Sequence, residues 1–108
     1  MADDCVPALI WCPFPDRDSL ERASKCLLDE RLIACANVFP EMVSTFEWEG
    51  ERTESRETGA LLKTNSALLD RAVARLAELH PYDEPAILGW RCEAATRGTA
   101  AWLEALGR

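Results

Sequence analysis

The chain has 108 residues, 48% of them hydrophobic and 29% charged, with a net charge of -7 and a pI of about 4.7. That length suits one domain, residues 1–108, around a single core, and the composition is that of a globular protein and not of a disordered one. The acidic balance argues against nucleic acid as the main partner, and no apolar run approaches the roughly 20 residues that cross a bilayer.

The opening stretch MADDCVPALIWCPFP starts on acids, lacks a basic leader and meets proline early, so it does not read as a secretory signal. Cysteines stand at 5, 12, 26, 35 and 92. Their number is odd and no CxxC pair occurs, so neither a disulfide framework nor a zinc ribbon is indicated. A reducing cytoplasm is the expected location.

VPALIWC, residues 6–12, is a short apolar run that predicts a buried strand, and PFPDRD breaks it. Asp18 with Glu21 suggests a capping box for a helix running to about Arg31. Leu20, Ala23, Cys26 and Leu27 form its inward stripe, and the Glu21–Lys25 and Lys25–Asp29 pairs its outer face. LIACANVF restarts a strand pattern, and Pro40 predicts a bulge or bend in it.

MVSTFEWEGERTESRETGALLKT reads as a long hairpin turning at Gly50, with Met42, Ser44, Phe46 and Trp48 on one face. Its second strand, from about Arg52 to Thr64, is polar in its first half and apolar in ALLK. Such an arm overshoots the usual strand length and is expected to project past the core, where a partner subunit would support it. TNSALLDRAVARLAELH predicts a second helix, capped from Thr64, Asn65 or Ser66 and buried along Leu69, Ala72, Val73, Leu76 and Leu79. Pro81 forces His80 out of helical geometry and ends it. AILGWRCEA is the fourth strand, and TRGTAAWLEALGR a last helix with Trp102, Leu103 and Leu106 inward.

The order βαββαβ plus a terminal helix predicts an α+β, ferredoxin-like sandwich with both main helices on one face. Right-handed crossovers place the first and second strands parallel with the third between them, and the fourth beside the first. The end of the first strand and the end of the second helix then share one edge of the sheet. Cys12 and His80, the sole histidine, meet there, with Asp16, Asp83 and Glu84 on the adjoining loops.

ERLIACANV, FEWEGE, the spacing from Glu57 to LLKT, LHPYDEP and the late WL together resemble the CutA divalent-cation tolerance family. The resemblance spans about residues 9–104 and implies a ferredoxin-like homotrimer built like PII signalling proteins, with a link to copper tolerance and no established catalysis. It implies a copper ligand set that falls on Cys12 and His80, with a third ligand, a glutamate, at the position of Ala86. Glu84, two residues earlier, is the candidate replacement. The chain departs from the family pattern in two further places. Glu51 stands where a lysine usually follows WEG, and the C-terminus is about three residues short and lacks a tyrosine before WL. Both departures are expected to alter how subunits cap one another.

Three roles stay open for His80: helix cap, metal ligand or proton carrier. Cys12 is a core thiol or half of a soft pair suited to copper, and Cys26 and Cys35 are core fillers. Glu57 is expected to pair with Arg56 or Lys63. Phe46, Trp48 and Tyr82 are packing anchors, or the walls of a cleft between subunits. Neither a phosphate loop nor a nucleophile elbow is present, so the chain reads as a non-enzymatic metal-binding trimer, with an unidentified protein partner left open. The alternative is a PII-like signalling or scaffolding module binding a small ligand through Lys63, Glu57 and the hairpin aromatics.

Overall fold

The computed structural model describes residues 5–108. Residues 1–4, whose acids entered the reading of the N-terminus, lie outside the described part. The elements follow in the order β1 (Pro7–Phe14), α1 (Arg17–Asp29), β2 (Cys35–Trp48), β3 (Glu51–Asn65), α2 (Leu69–Leu79), β4 (Leu88–Arg91) and α3 (Arg97–Glu104). They make one sheet of order β2-β3-β1-β4, with β3 antiparallel between β2 and β1. This is the expected α+β architecture.

The core lies between the sheet and α1 and α2. Side chains alternate along β1, so Ile10, Cys12 and Phe14 join Ala60 and Leu62 of β3 on one face. Leu20, Ala23 and Leu27 of α1 and Ala72 and Leu76 of α2 close over them. Cys26 is only partly buried and Trp102 is 48% exposed, so neither takes the inward place expected of it. On α3 it is Leu103 that turns into the protein.

Caps moved from their expected places. Asp16, not Asp18, caps α1 by accepting the Ser19 N–H at 2.8 Å. β1 runs on through Pro13 and Phe14, because only β3 flanks it there and a missing N–H costs no ladder bond on the open side. The helix therefore starts from the next free acid. Asn65 does not begin α2 directly. It closes the turn ahead of it by accepting the Leu68 N–H at 3.0 Å. Its amide also donates to the Leu103 and Leu106 carbonyls, tying α3 to the end of β3.

Pro40 produces the expected irregularity, a register shift between Phe39 and Met42. Glu49 and Gly50 both have positive φ, at 52° and 84°, so the hairpin closes in a two-residue turn whose twist matches its strands. Strands of 14 and 15 residues carry this arm well beyond the helices, and the chain measures 48 × 25 × 22 Å. Exposed Glu47–Arg52 and Glu41–Arg56 pairs decorate the arm but contribute little to holding it.

Asn65 is buried and makes three bonds from one side chain. Asn65→Ala is expected to lower unfolding stability by about 2 kcal/mol, because it strands buried backbone groups. Urea unfolding would read this as a lower midpoint at unchanged slope. An unchanged midpoint would show that the amide does not hold α3.

Candidate functional site

The end of β1 and the end of α2 do meet. His80 follows the last residue of α2 in extended geometry, as a residue before proline must, and its N–H still caps Leu76 O at 2.9 Å. Its ring reaches across to β1, where Nε2 lies 2.8 Å from the Pro13 carbonyl oxygen. On the other side, the Tyr82 N–H donates to Nδ1 at 3.0 Å. A ring that accepts at Nδ1 must carry its proton on Nε2, so this is the Nε2–H tautomer donating to Pro13. The ring also stacks on Phe14 with centroids 4.3 Å apart. His80 thus fastens α2 and the HPY turn to the end of β1 through both nitrogens and one face.

Cys12 lies beside it. The thiol is fully buried and donates weakly to the same Pro13 oxygen at 3.5 Å. Burial, reinforced by the Glu57 carboxylate, pushes its pKa up to about 12. The sulfur is therefore protonated at neutral pH. Its hydrogen bond and that of His80 converge on one carbonyl, not on each other, so the pair is not set as a thiolate–imidazolium dyad.

Glu57 was missed as a partner of Tyr82. It forms no ion pair among the described residues. Arg56 turns to Glu41 instead, at 2.6 Å, and Lys63 lies further along β3, opposite Leu9 and Cys35. Glu57 is only 8% exposed and accepts a hydrogen bond from the Tyr82 hydroxyl at 3.1 Å. Desolvation first, and that carboxylate second, push the Tyr82 pKa up to about 12. The available signal was that the chain's one tyrosine sits two residues after its one histidine, on the turn that His80 orients.

Beyond Tyr82 opens a cleft of about 650 Å³ between the hairpin arm and the HPYDEP turn. Phe46, Trp48 and Tyr82 line it together with Glu47, Glu49, Glu57, Asp83 and Glu84. Ala86 and Pro13 complete its wall. Glu84 thus lines the cleft, whereas Cys12 and His80 do not and instead bond the carbonyl of Pro13, which does. Among the described residues, no group of three or more His, Cys, Asp or Glu side chains is gathered to hold a metal ion. With both ring nitrogens engaged and the thiol protonated, Cys12, His80 and Glu84 do not fit a metal as they stand in this structure.

Residues 8–106 match the family model described as CutA1 divalent ion tolerance protein. The chain belongs to this CutA1 divalent ion tolerance family. The divalent-cation tolerance protein CutA of Pyrococcus horikoshii is 42% identical over 95 residues, which cover 88% of this chain and 92% of that one. The crystal structure of CutA1 from Ehrlichia chaffeensis superposes with a TM-score of 0.88 at 31% identity, over 95% of this chain and 96% of that one. A CutA structure from Archaeoglobus fulgidus, described as a periplasmic divalent cation tolerance protein, gives 0.86 at 27% identity, over 92% and 96%. Membership of the CutA1 family accounts for the fold, and the Pro13–His80–Tyr82–Glu57 chain of contacts is what this member's side chains build on it.

Tyr82 is the sole tyrosine, so its phenol can be titrated alone by ultraviolet absorbance. It is expected to ionise near pH 12 in the folded protein and at a lower pH in Glu57→Gln, which removes the carboxylate's share of the rise and leaves the share due to burial. Because the folded pKa is raised, the linked stability is complete below pH 10 and is lost as pH climbs towards 12. Ionisation near 10 in the folded wild type would remove the Glu57 contact.

Proposed function

We propose that this chain serves divalent-cation tolerance as a cytoplasmic homotrimer that attracts and takes up metal ions, copper first among them. The observation that carries this reading is the charge of the cleft. Five carboxylates line it, and among the described residues no lysine or arginine does. Such a cleft raises the local concentration of cations and repels anions. The printed name of the Pyrococcus horikoshii relative, divalent-cation tolerance protein, agrees with that sign.

Copper is the finer part of the proposal. Cys12 and His80 are soft donors and lie side by side over one carbonyl. Their use requires the HPYDEP turn to release the His80 ring from Pro13 or Tyr82, and Cys12 to lose its proton. Asp83 and Glu84 travel on that same turn, which makes Glu84 the proposed oxygen donor in place of Ala86. Trimer formation is supported by the length of the arm and by the exposed Phe39, Val43, Phe46 and Trp48 along edge strand β2. The cytoplasm is proposed from five cysteines that are all unpaired. The periplasmic description of the Archaeoglobus fulgidus protein belongs to that relative. A non-enzymatic role is supported by Cys12 and His80 both donating to the Pro13 carbonyl and not bonding each other.

The volume and aromatic walls of the cleft favour a second reading, a trimeric module that binds a small ligand between subunits. Lys63, expected to serve such a ligand, lies outside the cleft. An anionic metabolite is therefore poorly matched.

Anaerobic titration of Cu(I) against a competing chelator tests the copper reading. Cys12→Ser and His80→Ala are each expected to weaken binding at least about tenfold. Wild-type affinity is expected to rise about tenfold per pH unit near neutrality, since a thiol of pKa about 12 must release its proton. Equal affinity in all three proteins would refute the soft-donor site.

A further inference from the structure

α2 and β4 are joined by a segment that the backbone hardly holds. Among the described residues, no backbone–backbone hydrogen bond reaches residues 81–86, and prolines at 81 and 85 remove two N–H donors outright. Among the described residues, Tyr82 alone makes the segment's hydrogen bonds. Its N–H donates to His80 Nδ1 at 3.0 Å and its hydroxyl to Glu57 at 3.1 Å. His80 ends α2 on one side of the segment, and Ile87 packs against the core on the other. A stretch with so few backbone bonds opens at lower free energy than the elements it joins.

The His80 ring stands between Tyr82 and Phe14, with centroids 4.9 Å from the first and 4.3 Å from the second. Exposure falls inward along this path, from 38% at Tyr82 to 7% at His80 and 0% at Cys12. Cys12 shares the Pro13 carbonyl with His80, so the ring that Tyr82 steadies lies next to the thiol. We propose that residues 81–86 form a strap latched at Tyr82, and that lifting it draws the His80 ring off Pro13 and opens the Cys12 thiol to solutes. The strap supplies the release that the soft-donor reading requires, but access to the thiol is a property of the protein alone, with or without a metal.

Alkylation of the folded, assembled protein with iodoacetamide tests it, with peptide mass mapping to read Cys12 apart from the other four cysteines. Closing outpaces so slow a reagent, so the Cys12 rate follows the population with the strap lifted. In the wild type that rate is expected to stay nearly flat below about 1 M urea, since a local opening exposes little surface. Tyr82→Phe keeps the ring and the N–H but deletes the bond to Glu57. It is expected to speed Cys12 labelling about tenfold at unchanged oligomeric mass. A wild-type rate that climbs with urea as steeply as global unfolding does would overturn the inference, and so would an unchanged rate in Tyr82→Phe. A neighbouring copy that pinned the strap would show itself as the first of these results. Copper binding absent from the wild type with gated labelling kept would sink only the soft-donor reading.

Discussion

The structure depends on a sheet longer than the layer of helices that covers it. α1 and α2 bury the part of the sheet around Ile10, Cys12, Ala60 and Leu62, and the outer halves of β2 and β3 run on without cover. Backbone pairing holds that arm together, but two strands alone are barely stable in water. Its exposed ion pairs add little, and its exposed Phe46 and Trp48 are costly to leave wet. The proposed trimer would bury the arm against other copies, and the same arm forms one wall of the cleft. The proposed assembly and the cleft thus trace to one geometric excess.

The opposite wall is held by a different device. Pro13 has no N–H to give to the ladder, but its carbonyl accepts from both His80 and Cys12. The His80 ring orients Tyr82, and Tyr82 in turn holds Glu57. Four residues from β1, β3 and the turn after α2 thus form one continuous polar chain at the edge of the core. That chain is closed in this structure, with both nitrogens of the His80 ring engaged and the Cys12 thiol bonded to Pro13. Any metal chemistry at Cys12 and His80 must open it, whereas occupation of the cleft need not.

Much of this was legible in the residues because local and long-range signals agreed. The bulge at Pro40, the turn at Gly50, the end of α2 before Pro81 and the meeting of Cys12 with His80 all follow from backbone rules and handed crossovers. What was not legible depended on competition between equals. Asp16 and Asp18 are both good caps, and the choice was made by how far β1 ran. Trp102 and Leu103 are both apolar, and the grip of Asn65 on the end of α3 decides which one turns in. Glu57 had charged neighbours along its own strand, yet its partner is Tyr82, brought to it by the turn that His80 fixes. Side-chain pairings of that kind depend on a loop conformation that no periodicity encodes.

The central claim is that the arm is completed by other copies of the chain, and the mass of the protein in solution tests it most directly. Light scattering on the purified chain at micromolar concentration is predicted to give about three times the 12.1 kDa of one subunit, unchanged on moderate dilution. A stable species of one subunit's mass, fully folded and with its hairpin free in solvent, would contradict the account.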